Sequence, residues 1–471
     1  MTHPQRPQRL TLVLPSTGEF DSRTYRIASA AVARGHTVTV IARWKPGLLD
    51  AEEHPAGYRI LRVPFSPIEG LPLPGLVRAG RAAARRLRAV STRTPYRPPV
   101  DPMAAMRASV ARAAASPGSA PVTRSADDGP GGADDGVPRS SLPGRLVGTI
   151  VRRLAIPLTI RSQGRFAAQV APPADLYHGM AYMGIPIALR LARRDRAKVV
   201  YDARDIYMDA ANLARMRGPM RWFIARAERR WAHAADRVIT VNQPYAEVMA
   251  GRFGVPEPLI VMNCAYRYAV PSPRPRRFHE ALPLDAATRV VLYQGGFSRD
   301  RGIEELIEAI PAIPGAVLVL MGYGSLEEQL RAEASRSAGR ICVLPAVPPT
   351  ELLAWVASAD VVAMPIQPTT LNHRLTTPNK LFEAMAAGVA IVASDLPGMA
   401  PYVREAECGV LCDPTSPADI ARAVRAILDA PPDARAAFGR RGLAAAHERY
   451  NWEAQVAGLF VEYGRLTGSP W

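Results

Sequence analysis

The feature that most constrains the fold is an alternation of strand-like and helix-like segments that occurs in two series. Short apolar runs of strand length recur between amphipathic or Ala-rich segments of helix length, a pattern typical of parallel sheets covered by helices. A Pro- and Arg-rich break at residues 271–277 separates the two series. A chain of 471 residues has room for two such domains.

The apolar runs are the predicted strands, and they define two sheets. In the first series they cover residues 9–14, 37–42, 197–201, 237–241 and 259–262, and in the second residues 289–294, 316–321, 340–344, 360–364, 389–393 and 409–411. Residues 23–34 and 219–235 are typical of the helices between them. The predicted fold class is therefore α/β, with two Rossmann-like domains facing across a cleft.

Positive charge is concentrated in one part of the chain. The formal net charge is +17, and residues 71–170 contain sixteen arginines and five aspartates but no lysine or glutamate. This clustering predicts an anionic partner, either a lipid surface or a polyprenyl phosphate. A nucleic-acid groove is disfavoured because aromatic residues that would stack on bases are not interleaved with the arginines.

Residues 91–141 differ in composition from the rest of the first series. They are rich in Pro, Ser, Gly and Ala with almost no aromatic residue, and we predict a disordered insertion. The flanking segments, residues 71–90 and 142–160, are apolar and Arg-bearing. Such a pattern fits a basic helix on a membrane surface and equally a helix packed on the sheet.

The cysteines and the hydropathy pattern bear on localisation. Cys264, Cys342, Cys408 and Cys412 show neither a metal-ligand nor a disulfide spacing, so we expect free thiols in a reducing compartment. Residues 1–10 are polar, and the sequence contains no uninterrupted run of eighteen apolar residues. We therefore expect no signal peptide, no membrane-spanning helix and a cytoplasmic location.

Residues 376–395, TTPNKLFEAMAAGVAIVASD, are typical of a helix that leads into a buried strand. Pro378 and Asn379 are expected at the helix start, where free amide groups and the helix dipole suit a phosphate. Lys380 adds a positive charge, and Glu383 lies one turn further along, where its carboxylate could accept hydrogen bonds from a ribose. An ordinary helix start in any α/β protein would show the same local pattern.

A Gly-rich loop at residues 294–302 follows a predicted strand and precedes a helix. Gly295 and Gly296 would let the backbone approach a diphosphate, and Arg301 would supply positive charge. The loop matches neither the phosphate-binding loop of NTPases nor the dinucleotide fingerprint. Gly322 and Tyr323 form a second turn at the end of the next strand, which would lie under the same ligand.

In their order along the chain, these motifs resemble the family-4 retaining glycosyltransferases, which have the GT-B fold, and in particular the branch with a P-N-K-L-F-E signature. The resemblance implies that Glu383 holds the donor ribose and that a nucleoside diphosphate-sugar is the donor. Two positions depart from the family pattern. Leu375 replaces the first Glu of the E-x7-E motif, and Gly296 replaces an Arg of the loop.

The resemblance also suggests site residues in the first half. His178, at the end of a short strand, is expected to contact the donor sugar near the reacting carbon. Asp21 and Arg23 match a D-x-R motif and are acceptor-side candidates, although Asp21 would also suit a helix cap. Asp202 and Asp205 follow another strand and are candidate acceptor-side groups, with helix capping as the alternative.

The implied organisation has three parts. Residues 1–268 form an acceptor-binding domain, residues 278–450 form a donor-binding domain, and residues 451–471 form a helix that crosses back to the first domain. The acceptor domain of such enzymes often sits on a membrane, so we favour peripheral membrane contact through residues 71–170.

The activity implied is transfer of a hexose-type sugar, with retained anomeric configuration, to a glycolipid, polysaccharide or small molecule, as in cell-envelope biosynthesis. We expect His178, Arg301, Lys380 and Glu383 to be catalytic, with neither a metal nor another cofactor and no nucleic-acid partner. Two alternatives remain open: a GT-B nucleotide-sugar epimerase, and a membrane-associated scaffold that has lost catalysis.

Overall fold

The computed structural model describes residues 6–19, 21–67, 69, 154–216 and 218–471. In these residues two sheets follow one another along the chain, each covered by helices, which confirms the prediction of an α/β protein with two Rossmann-like domains. The predicted insertion at residues 91–141, the segment 71–90 and residues 142–153 lie outside the described residues.

The first sheet is formed by strands from the first half of the chain. They are β1 (Arg9–Val13), β2 (Thr37–Arg43), β3 (Ala51–Glu53), β4 (Arg59–Val63), β5 (Leu176–Met180), β6 (Lys198–Asp202), β7 (Arg237–Thr240) and β8 (Leu259–Ile260). Within the described residues their order is β3-β4-β2-β1-β5-β6-β7-β8, and β3 with β4 is the antiparallel pair among parallel ones. The strands β3 and β4 were not predicted.

Helices cover both faces of this sheet. They are α1 (Ser22–Ala33), α2 (Ala155–Val170), α3 (Ala181–Asp195), α4 (Ala211–Arg215), α5 (Pro219–Ala234) and α6 (Gln243–Phe253). The described part of the basic segment 142–160 falls in α2, whose buried residues include Ser162, Gln163 and Ala167. This helix packs on α3 and β4, as expected for a helix that covers the sheet.

The second sheet has the strand order of a Rossmann domain. Its strands are β9 (Arg289–Gly296), β10 (Ala316–Tyr323), β11 (Ile341–Pro345), β12 (Val361–Met364), β13 (Ala390–Ser394) and β14 (Gly409–Cys412). Their order is β11-β10-β9-β12-β13-β14, and the paired strands are parallel. Because buried apolar clusters cover both faces, the strands read as continuous apolar runs.

Helices again alternate with these strands. They are α7 (Arg277–Ala281), α8 (Ile303–Ala309), α9 (Glu327–Arg336), α10 (Leu352–Val356), α11 (Leu371–Leu375), α12 (Asn379–Ala386), α13 (Ala400–Ala406), α14 (Pro417–Leu428) and α15 (Pro432–Glu448). None of the helices in the described ranges is long and apolar enough to cross a membrane.

The last helix, α16 (Trp452–Thr467), returns to the first sheet. Asn451 caps it by accepting a hydrogen bond from the amide of Ala454 at 2.9 Å. Trp452 is fully buried in the apolar cluster that also contains Leu12 and Ile27 of the first half. The chain therefore passes from the first half to the second and back. The two halves are covalently linked twice, once between the two sheets and once before α16.

Removing the Trp452 side chain tests this connection. Trp452→Ala should lower the free energy of unfolding by about 3–5 kcal/mol, because it deletes a large buried aromatic side chain. The control is Val461→Ala in the same helix, since Val461 is 75% exposed and its truncation should change little. Urea titrations with equal midpoints for the two variants would contradict this packing role.

Candidate functional site

A cavity of about 730 Å3 lies between the two halves, where the strands of both sheets end. We call this cavity the cleft. Its second-half wall is formed by the ends of β9 and β10 and by the start of α12, and its first-half wall by the start of α1 and the segment after β6. Ligands of open α/β sheets bind at this edge, because the loops that follow parallel strands converge there.

Lys380 lies half-buried at the start of α12, where Pro378 and Asn379 also line the cleft. Its ammonium nitrogen lies 3.6 Å from the ring centroid of Tyr293, a cation–π contact. Burial, together with the nearby charge of Arg301, lowers the pKa of Lys380 to about 7. Protonated Lys380 favours an anionic ligand, because a negative charge nearby would offset both the cost of burying the ammonium group and its repulsion from Arg301.

Arg301 is the second cation of this wall and follows the Gly-rich loop. Among the described residues, no carboxylate lies within salt-bridge distance of its guanidinium group. Gly295 and Gly296 are exposed at the cleft, and a side chain at Gly295 would approach the Lys380 ammonium to 3.5 Å. The loop and Lys380 therefore enclose a small space with a positive potential.

Two glycines are required by close backbone contacts around this space. Gly302 has a φ of +75°, and a Cβ there would lie 1.8 Å from the carbonyl oxygen of Pro365. A Cβ at Gly322 would lie 1.9 Å from the carbonyl oxygen of Gly295 on the neighbouring strand. Gly322 and Tyr323 line the cleft, as does the Gly-rich loop.

Glu383 lies one turn into α12 and is buried at the floor of the cleft. Its Oε2 accepts a hydrogen bond from Gln294 Nε2 at 2.9 Å, and its Oε1 lies 3.7 Å from the guanidinium group of Arg26 in the first half. Burial raises the pKa of Glu383, and the charges of Arg26 and Lys380 oppose that shift. The Oε1 atom of Gln294 is buried without a partner among the described residues, so it could accept a hydrogen bond from a ligand hydroxyl.

His178 is fully buried and is not among the residues that line the cleft, and its contact with a donor sugar stays a prediction. Its Nδ1 lies 2.5 Å from the hydroxyl of Tyr463 in α16, and its Nε2 lies 3.1 Å from Asp202 Oδ2. Burial lowers the pKa of His178 despite the neighbouring carboxylate. Both ring nitrogens are therefore engaged away from the cleft.

Asp202 is also fully buried and is not among the residues that line the cleft. Its assignment to the acceptor side stays a prediction. Its Oδ2 lies 2.5 Å from the Nε atom of Arg23, and Arg23 also donates to the carbonyl oxygen of Val261. Burial alone would raise the pKa of Asp202, but Arg23 and His178 outweigh it and hold this pKa well below its usual range. Both side chains of this ion pair are fully buried, and Arg23, unlike Asp202, is also among the residues that line the cleft.

The other two acceptor-side candidates have structural partners as well. Asp21 caps α1 by accepting from the amide of Thr24 at 3.0 Å and pairs with Arg204 at 2.9 Å. Burial opposes ionisation of Asp21, yet Arg204 holds its pKa below the usual value. Arg204 and Asp205 line the cleft, so the first-half wall presents a polar surface.

Two asparagines that sequence reasoning missed join the halves beside the cleft. Asn372 Oδ1 accepts from the amide of Ile206 at 2.7 Å and from the hydroxyl of Tyr245 at 2.8 Å, and its Nδ2 donates to Asp205 at 3.0 Å. Asn242 Nδ2 donates to the carbonyl oxygen of Leu375 at 2.7 Å. These contacts fix the segment that leads into Pro378 and Lys380. No local sequence pattern predicts these hydrogen bonds, because the bonded residues are more than a hundred positions apart in the chain.

Comparison with known proteins finds a similar domain for each half of the chain. The family Glycosyl transferases group 1 matches residues 288–430, and the Glycosyl transferase 4-like domain matches residues 103–265. Each half of the chain is thus similar to a glycosyltransferase domain, and the two sheets together have the GT-B fold. Sucrose-phosphate synthase from Thermosynechococcus elongatus has the same overall fold, with a TM-score of 0.64 over 98% of this chain and 99% of that one at 19% identity. HepE from Anabaena in complex with UDP-glucose gives a TM-score of 0.58, with 15% identity over 98% and 100% of the two chains.

Curated relatives match part of this GT-B chain. D-inositol 3-phosphate glycosyltransferase from Segniliparus rotundus is 31% identical over 39% of this chain and 41% of its own length. Phosphatidyl-myo-inositol mannosyltransferase from Mycobacterium tuberculosis is 31% identical over 41% of this chain and 52% of its own length. The matched part thus spans about half or less of each relative.

Replacing Asn372 tests the contact between the halves. Asn372→Ala should lower the free energy of unfolding by about 1–3 kcal/mol, because the buried amide of Ile206 loses its acceptor, while the hydroxyl of Tyr245 keeps only the backbone carbonyl of residue 372. Arg374→Ala in the same helix is the control, since Arg374 is exposed. If urea unfolding shows no larger loss for Asn372→Ala than for the control, these hydrogen bonds do not hold the halves together.

Proposed function

We propose that this protein is a retaining glycosyltransferase that moves a sugar from a nucleoside diphosphate-sugar to an acceptor. One observation carries the proposal: Lys380 and Arg301, two cations without a carboxylate ion pair among the described residues, face the same space at the floor of the cleft. That arrangement suits a diphosphate, whose charge increases as it departs. The similarity of both halves to glycosyltransferase domains supports the same class of reaction.

The donor would lie against the second-half wall. The diphosphate would contact Lys380, Arg301 and the amide groups at the start of α12, while the ribose hydroxyls would reach Glu383 and the free acceptor on Gln294. Arg26 would then give up part of its contact with Glu383, or shift with the first half as the cleft closes. The acceptor would enter from the first-half side, near Arg204 and Asp205.

Retention is the finer part of the proposal, and the P-N-K-L-F-E signature supports it. The bond between the sugar C1 and the diphosphate oxygen breaks, the acceptor oxygen bonds to C1 on the same face, and its proton passes to a phosphate oxygen. Lys380 and Arg301 stabilise the diphosphate while that bond breaks. Asp202 positions Arg23 and is itself held by His178, whose contact with the donor sugar stays a prediction.

Membrane contact through the basic residues 71–170 remains part of the proposal, and it would bring the protein to the cytoplasmic face of a membrane. These residues lie largely outside the described part of the chain.

Removing the charge of Arg301 tests its part in catalysis. Arg301→Gln should lower turnover by more than about tenfold, because a cation that stabilises the departing diphosphate is lost. Arg299→Gln is the matched control, since Arg299 is exposed two residues away and is not part of the cleft wall. Turnover is measured as nucleoside diphosphate released from the donor. Equal rates for both variants would remove Arg301 from the mechanism.

The pH dependence of nucleotide binding tests Lys380. Free Lys380 has a pKa of about 7, and a bound diphosphate should raise it. Affinity for the nucleoside diphosphate should therefore be full below pH 7 and fall as pH rises toward the pKa of the complex, by at most about tenfold per pH unit. Calorimetry in buffers of different ionisation enthalpy should show proton uptake at pH 8 but little at pH 6.

Lys380→Arg serves as the control for this pH dependence. An arginine keeps its charge across the range, so proton uptake should disappear while binding persists. Proton uptake that is unchanged in Lys380→Arg would assign the effect to another group.

A further inference from the structure

Helix α5 presents two adjacent aromatic side chains to solvent. Trp222 is 59% exposed and Phe223 is 56% exposed, and their rings meet edge-on with centroids 5.0 Å apart. Among the described residues, these are the two aromatic side chains that stand out as exposed. Large exposed aromatic pairs are uncommon on monomeric proteins and mark interaction surfaces.

The packing of α5 fixes this orientation. Ile224 and Ala232 face inward, and Ile224 forms a buried cluster with Met208 and Leu213 against which Met220 also packs. Trp222 and Phe223 could turn inward only if Ile224 left that cluster. The packing of Ile224 in this cluster therefore keeps Trp222 and Phe223 on the exposed side of α5.

The exposed charges of α5 itself have one sign. Arg226, Arg229 and Arg230 of α5 are exposed, and the guanidinium group of Arg226 lies 5.7 Å from the centroid of a Trp222 ring. The carboxylate of this helix, Glu228, is buried and accepts a hydrogen bond from Tyr201 at 2.6 Å. The exposed face of α5 is thus aromatic at its start and positive along its length.

We propose that this face of α5 docks on an anionic lipid membrane, with Trp222 and Phe223 inserted at the level of the headgroups. Tryptophan prefers the membrane interface, where its apolar ring is buried and its N–H group stays wet. Arginines beside it gain favourable interactions with anionic headgroups. A second copy of the chain fits less well, because a twofold interface would oppose the same arginines to one another.

The docking face lies on the acceptor side of the cleft. Tyr207 packs on the cluster beneath α5, and its hydroxyl accepts a hydrogen bond from the amide of Arg204, which lines the cleft. Docking would therefore bring the first-half wall close to the bilayer, where a lipid-linked acceptor could enter. This last step rests on the proposed transferase function, whereas the docking itself does not.

Vesicle co-sedimentation of the full chain tests the docking. The wild type should bind phosphatidylcholine vesicles that contain phosphatidylglycerol, and Trp222→Ser/Phe223→Ser should weaken that binding at least tenfold. Val461→Ser is the matched control, because Val461 is also exposed but lies on α16. Arg226→Gln/Arg229→Gln/Arg230→Gln should likewise weaken binding to anionic vesicles, and added salt should reduce the difference from the wild type.

Several outcomes would overturn the proposal. One is a wild type that binds anionic vesicles no better than pure phosphatidylcholine vesicles. Another is binding of both the aromatic and the arginine variants at the wild-type level, which would place any contact elsewhere, as in residues 71–170. A dimer in gel filtration that the aromatic variant abolishes, with vesicle binding unchanged, would assign the face to a second copy.

A thermal shift with UDP, GDP or ADP, measured in parallel on each variant, separates this result from the transferase proposal. A variant that keeps the nucleotide-induced shift but loses vesicle binding supports docking. A shift that is missing in every protein, the wild type included, counts against the nucleotide site alone.

Discussion

Lys380 is half-buried against the ring of Tyr293, and burial together with the neighbouring charge of Arg301 lowers its pKa to about 7. Protonation of Lys380 is therefore costly unless a negative charge lies nearby, and the surrounding loop leaves space for one. The Gly-rich loop leaves room beside the ammonium group, and Gly302 permits the close approach of the loop to Pro365. A bound diphosphate would offset the repulsion between the two cations, so ligand binding and local stability are coupled.

The same region also joins the two halves. Asn372 and Asn242 hold the segment that leads into α12, and Arg26 of the first half reaches Glu383 of that helix. A shift of one half against the other would therefore move the start of α12. Closure of the cleft and the geometry of the donor site are linked through these few contacts.

Local sequence patterns predicted the parts of the site that depend on the local chain. The helix start at Asn379 and the loop before Ile303 carry turn and cap signals that act over a few residues. The burial of His178 could not be predicted, because it depends on Tyr463, which lies 285 residues further along the chain. The short strand Ala51–Glu53 was missed because its residues are polar and only partly buried, so no apolar run marks it.

The most direct test of the account is a thermal-shift screen of the wild type and Glu383→Ala against UDP-, GDP- and ADP-sugars. The account predicts that donors of at least one base raise the melting temperature of the wild type, and that the rise is lost in Glu383→Ala when each protein is compared with its own ligand-free state. A wild type that no donor stabilises, or an equal rise in both proteins, would contradict the assignment of this cleft to a nucleoside diphosphate-sugar.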